Sequence, residues 1–398
     1  MALVLSCAPA LMRSVTYTAG NQITLLHRGD EYFPELIGAI NAARAEIWLE
    51  TYIFALDGTG DAVRNALGRA AARGVAVHVV TDWVGTGHRE SARLKREFEQ
   101  AGVAHRNFNP WFRRGLTRMH RKMCVVDREV AFLGGLNIID DMVDDGDPQV
   151  RLPAPRWDFG IKINGPLVVV LQQELQGQWA RLGPLPLIAR IERLANMRGT
   201  RAASGDAPAV AGLVVRDNFR NRTTIQRSYL HALGHARREA LLVTPYFAPG
   251  RKLRAALESA ALRGVEVTLL LGVGQFVMQD AVAHSYYPKL LRAGVRIVEY
   301  RKTQLHGKVA VIDGEWATVG SSNYDGLSLF VNQEANIVVR DPGFAASLRE
   351  HIMTGVAEGT RVRLEEFSNT PWHHRLWHGA AFLLYRAVMR IITLGEYN

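Results

Sequence analysis

The chain has 398 residues, of which 48% are hydrophobic and 22% charged, and a formal net charge of +10. This is the composition of a globular protein with a sizeable core, and its length favours two domains or one duplicated domain. Two cysteines, Cys7 and Cys124, exclude a disulfide framework or a cysteine-based zinc site and favour a reducing compartment. The charge favours a polyanionic partner, either nucleic acid or an anionic membrane surface.

In chain order, the first predicted elements alternate between helix and strand. The stretch "ELIGAINAARA" has helical spacing, "EIWLETYIF" predicts a strand, "DAVRNALGRAAARG" a helix that ends at Gly74, and "VAVHVVTD" a strand. Such alternation predicts a mixed, largely parallel sheet with helices on both sides. The stretch "KMCVVDREVAFLGG" then predicts two strands joined by a turn at Asp127 and Arg128.

The same order of elements returns about 190 residues later. "AAARGVAVHVV" (70–80) resembles "AALRGVEVTLL" (260–270), and a second predicted hairpin turns at Asp313 and Gly314. We therefore predict an α/β protein made of two pseudo-symmetric α/β/α halves. The predicted organisation is a first half (1–197), a linker (198–209), a second half (210–371) and a C-terminal amphipathic helix (372–398).

Each half carries four polar residues at identical spacing. From the histidine, the lysine follows at 2 residues, the aspartate at 7 and the asparagine at 17. The two sets are His120, Lys122, Asp127 and Asn137, and His306, Lys308, Asp313 and Asn323. Because residues two apart on a strand share a face, we expect each His and Lys to point the same way. Aspartate favours hairpin turns, so we expect the two aspartates to orient rather than react.

This set of side chains is suited to a phosphate and contains no cluster of metal ligands. Lysines and asparagine amides donate hydrogen bonds to an anion whose charge grows in the transition state. One histidine can attack phosphorus and form a phosphohistidine, while the other protonates the leaving oxygen and later accepts a proton from the acceptor. The chemistry requires the halves to pack face to face, with a carboxylate orienting each imidazole.

The pattern HxKxxxxD, present twice and followed by a glycine-rich turn and Asn, resembles the phospholipase D superfamily over nearly the whole chain. This resemblance implies two phospholipase D-like halves around one site, a covalent phosphohistidine, and no metal or other cofactor. It also implies that the motif residues are the catalytic set, namely His120, Lys122, Asp127, His306, Lys308 and Asp313. Asp158 and Glu334 stand where the family has its supporting carboxylates. Gly135, Ser321 and Ser322, in the turns, are expected to bind the phosphate together with the two asparagines.

Within the superfamily, the "GGLN" turn and "NRTTIQRSYLHALGHARREALLVTPYFAPG" resemble bacterial cardiolipin synthases of the class without an N-terminal membrane anchor. That resemblance implies phosphatidyl transfer from one phosphatidylglycerol to another at the cytoplasmic face of the inner membrane, by a peripheral enzyme. One alternative is a phospholipase D that makes phosphatidic acid. Others are a nuclease of the superfamily, permitted by the charge, and a non-enzymatic membrane scaffold. We do not expect a nucleic-acid partner.

Three segments bear on the membrane and on the mouth of the site. A helix over 375–394 would place Arg and His on one side and Trp, Leu, Val and Ile on the other, which suits either an interfacial helix or docking on the second half. The basic and aromatic segment 109–122 is either a surface loop or a head-group contact. Segment 140–155 carries five aspartates and is interpreted as a solvated loop, with an acidic lip beside the site as the alternative.

Overall fold

The computed structural model describes residues 15–183, 207–218, 221–368 and 371–393. Cys7, most of the linker predicted at 198–209, and residues 394–398 of the predicted C-terminal segment lie outside the described residues. Within the described ranges the chain forms two mixed β-sheets with helices packed against them. No helix in those ranges is both long and apolar enough to cross a membrane.

The first sheet has seven strands in the order β2-β8-β7-β6-β3-β4-β5. Strand β1 (Thr16–Gly20) precedes it in the chain but lies in the second sheet. The strands of the first sheet are β2 (Gln22–His27), β3 (Glu46–Thr51), β4 (Ala76–Asp82), β5 (Ala104–Phe108), β6 (Met123–Val126), β7 (Val130–Gly134) and β8 (Phe159–Asn164). Its helices are α1 (Arg28–Ala42), α2 (Gly58–Ala72), α3 (His88–Gln100) and α4 (Leu167–Leu182), with a 3₁₀ turn at Pro110–Phe112.

The second sheet has nine strands in the order β1-β9-β15-β14-β13-β10-β11-β12-β16. Its own strands are β9 (Ala207–Arg216), β10 (Glu239–Thr244), β11 (Glu266–Gly272), β12 (Arg296–Tyr300), β13 (Val309–Ile312), β14 (Trp316–Gly320), β15 (Glu334–Arg340) and β16 (Thr360–Arg361). Its helices are α5 (Thr224–His235), α6 (Arg251–Leu262), α7 (Val277–Arg292), α8 (Gly326–Phe330), α9 (Pro342–Glu358), α10 (Leu364–Ser368) and α11 (Trp372–Ile392).

The order β8-β7-β6-β3-β4-β5 of the first sheet matches β15-β14-β13-β10-β11-β12 of the second, which confirms the predicted duplicated α/β architecture. The sheets are mixed, but only β3-β4-β5 and β10-β11-β12 run parallel in the described ranges. The expectation of a largely parallel sheet is therefore wrong. Each hairpin and the strand after it add antiparallel pairs, which do not need a crossover helix.

Both predicted hairpin turns are present. Asp127 and Arg128 have φ angles of 52° and 61°, and Asp313 and Gly314 have 54° and 73°. Two successive positive φ angles define a turn whose twist matches that of the flanking strands. Aspartate tolerates this conformation better than most residues, and glycine adopts it freely.

The halves pack face to face around a shared apolar core. Along β6, Met123 and Val125 contribute to this core, whereas Cys124 and Val126 face the helices of the first half. Strand β13 alternates in the same way and contributes Val309 to the shared core. Helices α4 and α9 also supply residues to it, among them Leu171 and Leu348. Strand alternation thus places one face of each sheet against the other half.

Two boundaries differ from the prediction. Strand β9 begins at Ala207, so the last three residues of the predicted linker belong to the second sheet. Strand β1 crosses over and pairs antiparallel with β9. The N-terminal part of the chain therefore ties the two halves together, an arrangement that requires tertiary pairing and leaves no local sequence signal.

Candidate active site

His120 lies three residues before β6 and His306 three residues before β13, so both histidines are outside the strands in which they were predicted. The main chain of each is held by the other half. The His120 N–H donates to the Gln333 carbonyl at 2.9 Å, and the His306 N–H donates to the Trp157 carbonyl at 2.8 Å. Main-chain hydrogen bonds across the interface between the two halves, called the seam below, therefore position both histidines.

The supporting carboxylates also cross the seam. Nδ1 of His120 in the first half lies 3.1 Å from Oε2 of Glu334 in the second half. Nδ1 of His306 in the second half lies 2.5 Å from Oδ2 of Asp158 in the first. Both carboxylates are buried, with side chains at most 1% exposed. Each imidazole is therefore oriented only when the two halves are packed together.

The partners of His120 define its tautomer. Nδ1 faces two acceptors, the Glu334 carboxylate and the Ser321 carbonyl, each at 3.1 Å. Nδ1 must therefore carry a proton, which leaves Nε2 with a free lone pair in the neutral ring. Burial lowers the pKa of His120 below its ordinary value of 6.5, although Glu334 acts in the opposite direction. A neutral, oriented imidazole is the form that a nucleophile requires.

His306 has a different environment. Burial and then the charge of Lys308 lower its pKa well below the ordinary value. Burial also raises the pKa of its partner Asp158 to about 6, against the effect of Lys308. On the other side of the ring, Nε2 lies 3.6 Å from Oδ2 of Asp145. Of the two histidines, as the structure describes them, His306 alone has a second carboxylate beside its outward nitrogen.

Lys122 and Lys308 supply the positive charge of the site. Both are buried, and each Nζ donates to the carbonyl of the histidine two residues earlier. Burial and then mutual repulsion with Lys308 lower the pKa of Lys122 to about 7, and burial lowers that of Lys308 to about 8. Nζ of Lys122 also lies 5.3 Å from the ring centre of Tyr52. Two neighbouring buried ammonium groups form a site that an anion would stabilise.

The glycine-rich turns bring the remaining predicted residues to the seam. Oδ1 of Asn137 accepts a hydrogen bond from the Ile53 N–H at 3.3 Å, whereas the buried Oδ1 of Asn323 has no partner among the described residues. Ser321 donates through Oγ to Glu334 at 2.5 Å. At the matching position, a Cβ on Gly135 would lie 2.2 Å from Asp158. The turn therefore needs glycine so that Asp158 can reach His306.

Ser322 makes weaker contacts beside this network. Its N–H donates to Oδ1 of Asn336 at 3.3 Å, and its Oγ lies 3.4 Å from the Asn323 carbonyl. Because the side chain is completely buried, these bonds fix the turn that carries Asn323. The geometry assigns Ser322 to the support of the turn. Phosphate binding by Ser322, Ser321, Gly135 and the two asparagines stays a prediction.

A family profile described as "Cardiolipin synthase, PLD-like domain" matches residues 36–145 and 229–354. Cardiolipin synthase B of Salmonella typhimurium is 38% identical over 341 residues, which are 84% of this chain and 80% of the relative. Cardiolipin synthase of Clostridium perfringens is 30% identical over 363 residues, or 88% and 74%. The chain belongs to the cardiolipin synthase family of phospholipase D-like proteins. The family assignment made from the paired motifs is confirmed.

The fold of this cardiolipin synthase family member also has a counterpart among solved structures. The crystal structure of phosphatidylserine synthase from Haemophilus influenzae matches with a TM-score of 0.69 over 96% of both chains. The two sequences are only 14% identical, so this likeness concerns the fold alone. It extends over both halves, in agreement with the duplicated architecture.

Asp127 and Asp313 do not reach the site. Asp127 follows β6, whereas His120 precedes it, and its carboxylate accepts hydrogen bonds of 2.7–2.8 Å from the backbone N–H groups of residues 44–46. Asp313 binds residues 237–239 in the same way at 2.8–3.0 Å. The prediction that these aspartates are catalytic is therefore wrong in its geometry. They fasten each hairpin to the start of the neighbouring strand.

Replacing Asp127 or Asp313 with Ala should lower stability and leave the chemistry intact. Each substitution removes three charge-assisted bonds and leaves backbone donors unpaired, which we expect to cost about 2–3 kcal/mol of unfolding free energy. Denaturant unfolding should show this loss, while kcat at a temperature where the variant is folded should stay within about threefold of wild type. A loss of kcat in a folded variant would restore a catalytic role for the aspartate.

Sequence reasoning missed Asp145. From Asn137 to Asp158 there are 21 positions, but from Asn323 to Glu334 only 11, so the first half has a 10-residue insertion. This insertion is the aspartate-rich segment, and it brings Asp145 to His306. The interpretation as a solvated loop is wrong for Asp145, and the acidic lip is the better description. The longer spacing between asparagine and carboxylate in the first half was the sequence signal that could have identified this insertion.

Within the described ranges, no three or more His, Cys, Asp or Glu side chains are arranged to hold a metal ion. The donors that meet at the seam are ammonium groups, amides and imidazoles whose Nδ1 atoms are already bonded to carboxylates. Such a set favours an anion over a cation. That the reaction needs no metal stays a prediction, to be tested with a chelator.

Proposed function

We propose that this protein is a cardiolipin synthase that transfers a phosphatidyl group from one phosphatidylglycerol to another and releases glycerol. The crossed pairing of His120 with Glu334 and of His306 with Asp158 is the observation that carries the proposal. It provides two oriented imidazoles beside two buried lysines. The similarity to proteins named cardiolipin synthase supports the choice of substrate.

In the first step, Nε2 of His120 attacks phosphorus and the bond from phosphorus to the glycerol oxygen breaks. His306 gives its Nε2 proton to that oxygen, and glycerol leaves. Charge on the phosphoryl oxygens is offset by Lys122 and Lys308. The negative charge of the phosphate favours the protonated form of His306 and opposes the burial and the Lys308 charge that lower the pKa of the ring.

In the second step, the hydroxyl of a second phosphatidylglycerol gives its proton to Nε2 of His306 as its oxygen attacks phosphorus. The bond from phosphorus to His120 breaks, and cardiolipin leaves. His120 returns to its neutral form and His306 to its protonated form, so the cycle closes. Two observations support this assignment of roles: Nδ1 of His120 faces two acceptors, and His306 has a carboxylate at its outward nitrogen.

Purified protein with labelled phosphatidylglycerol, with and without EDTA, tests the proposal. We expect equal amounts of cardiolipin and free glycerol, with rates within about twofold in the two conditions. Phosphatidic acid as the sole lipid product would identify a hydrolase instead. Loss of activity in EDTA that returns with added metal would contradict metal-independent chemistry.

The surface of α11 supports peripheral membrane binding. One face of the helix docks on the second half through Ala381 and Met389, which are 2% and 1% exposed. The predicted apolar face instead points to solvent, where Leu383, Leu384 and Ile391 are 63%, 53% and 75% exposed. The helix therefore docks by a face other than the predicted apolar one, and the exposed apolar face is available for the interfacial role proposed here. An exposed apolar stripe on a basic protein suits an anionic bilayer.

Two other exposed apolar groups support the same orientation. Trp111 and Phe112, in segment 109–122, are 73% and 46% exposed. Phe276 and Val277, at the start of α7, are 40% and 75% exposed, and Phe276 lies beside the aspartate-rich segment at the mouth of the site. We propose that these groups and α11 rest on the cytoplasmic face of a bacterial inner membrane.

The triple variant Leu383→Gln, Leu384→Gln and Ile391→Gln should bind vesicles more weakly without unfolding. Each residue contributes about 1 kcal/mol when it enters the interface, so we expect at least a tenfold loss in partitioning to phosphatidylglycerol vesicles by sedimentation. The matched control is Leu262→Gln, because Leu262 is 75% exposed at the end of α6. Equal binding by the triple variant and wild type would contradict the interfacial role.

A further inference from the structure

Gln304 and Leu305, the two residues before His306, line a cavity of about 300 Å³ that the proposed chemistry has not used, whereas His306 itself does not line it. It lies between the aspartate-rich segment and the loops that follow β11 and β12, and its polar lining includes Tyr246, Gln275 and Gln304. The Tyr246 hydroxyl donates to Oε1 of Gln275 at 3.0 Å. The cavity therefore has a pre-arranged set of neutral hydrogen-bonding groups.

Asp145 lies between two residues of the cavity wall and the reacting histidine. Its Oδ1 accepts hydrogen bonds from Nε2 of Gln304 at 2.7 Å and from Nε2 of Gln275 at 3.0 Å. Its other oxygen, Oδ2, lies 3.6 Å from Nε2 of His306. The side chain is 11% exposed, so the two amides replace much of the water that the carboxylate loses. One carboxylate thus touches both the cavity wall and the proton-transferring nitrogen.

The segment that carries Asp145 is held in place. The Asp140 N–H donates to Oδ2 of Asp57 at 2.8 Å, and Arg156 forms an ion pair with Asp141 at 3.7 Å. Arg156 also donates through Nε to Oε1 of Gln304 at 2.8 Å. These bonds connect Gln304 to the base of the segment, so the surrounding structure holds Asp145 in its position beside His306.

The charge of Asp145 indicates what can bind there. A carboxylate beside a phosphate site repels a second anion, so this side of His306 does not suit a phosphate oxygen. It suits a hydroxyl, which donates to the carboxylate, and the glutamines both donate to and accept from hydroxyls. Because Nε2 and Oδ2 are 3.6 Å apart, an oxygen can lie about 2.8 Å from both.

We propose that this cavity, together with the adjoining gap between Asp145 and His306, is the acceptor-alcohol site, in which Asp145, Gln275 and Gln304 bind the vicinal hydroxyls of a glycerol head group. One hydroxyl gives its proton to His306, and its neighbour donates to Asp145. The inference rests on the proposed function and deepens it, because it gives a structural reason for transfer to an alcohol rather than to water. The cavity has room for about ten water volumes and therefore for a three-carbon triol.

The test measures how the covalent intermediate divides between acceptors. Full-length protein is incubated with phosphatidylglycerol vesicles and equal concentrations of deuterated glycerol, 1-propanol and ethanolamine. For wild type, we expect at least a tenfold preference for glycerol over 1-propanol. For Asp145→Ala and Asp145→Asn, we expect this preference to fall at least fivefold, with more phosphatidic acid per turnover. All products arise from one intermediate, so a slower overall rate does not change the ratio.

Asp147→Asn is the matched control, because Asp147 belongs to the same segment but is exposed, and in the described structure its carboxylate accepts only from the Gln149 N–H. It should keep the wild-type preference. If Asp145→Ala makes no product, the Gln275→Leu variant is measured instead. It should show the same loss of preference for glycerol over 1-propanol.

An unchanged glycerol preference in the productive variants, or a wild-type preference for ethanolamine or 1-propanol, would overturn the inference. Wild type that makes only phosphatidic acid contradicts the proposed function itself, and this outcome is visible in the wild-type reaction alone. The two failures are therefore distinguishable.

Discussion

Replacing either His120 or His306 with Ala should lower kcat for cardiolipin formation by about 10⁴-fold or more. Removal of His120 deletes the nucleophile. Removal of His306 deletes the acid that protonates the leaving glycerol oxygen and the base that deprotonates the acceptor hydroxyl. Both rings lie at the seam on main chain held by the opposite half, so neither imidazole can move to take the place of the other. Product formation from labelled phosphatidylglycerol measures the loss.

A substrate with an activated leaving group separates the two roles. Nitrophenolate leaves without a proton, so His306→Ala should still release about one equivalent of nitrophenol from phosphatidyl-p-nitrophenol in a burst. His120→Ala should give no burst. Wild-type-like rates in both single variants, or a burst from His120→Ala, would contradict the assigned roles. Circular dichroism of both variants confirms that the fold is kept.

The crossed carboxylates should have the next largest effects. We expect Asp158→Asn and Glu334→Gln each to lower kcat by about 10²- to 10⁴-fold, because an amide can present its N–H to Nδ1 and stabilise the wrong tautomer. Because each carboxylate contacts the histidine of the opposite half, Asp158→Asn should impair His306 and Glu334→Gln should impair His120.

The leaving group again distinguishes the two variants. With phosphatidyl-p-nitrophenol, the burst of Asp158→Asn should recover because that step needs no acid, whereas Glu334→Gln should stay slow. Glu50→Gln is a suitable control, since Glu50 is a buried carboxylate that pairs with Arg121 at 2.7 Å instead of with a histidine. Equal recovery of both burst rates would show that the carboxylates do not act on separate rings.

Duplication made much of this site predictable from sequence. A single His-x-Lys has many explanations, but matched spacing at His120 and His306 was enough to identify both imidazoles and both lysines. The same reasoning placed Asp127 and Asp313 in turns, since aspartate favours the positive φ found there. Their inclusion among catalytic residues came from the family motif and not from the turn chemistry, which proved the better guide.

The remaining features depend on tertiary contacts that a local pattern does not contain. The pairing of Glu334 with His120 requires the two sheets to be stacked, and β1 joins the second sheet only when both halves are present. On α11 the residues of the predicted apolar face lie exposed, but the docking face, with Ala381 and Met389, has too weak a pattern to stand out. Asp145 was hidden in a segment whose composition resembles that of an ordinary loop.

The most direct test of the central claim is to locate the covalent intermediate. His306→Ala is mixed with phosphatidyl-p-nitrophenol, quenched at alkaline pH and digested, and the peptides are analysed by mass spectrometry. We expect one phosphatidyl group on the peptide that contains His120, attached to that residue. A phosphatidyl group elsewhere, or no adduct despite a nitrophenol burst, would contradict it.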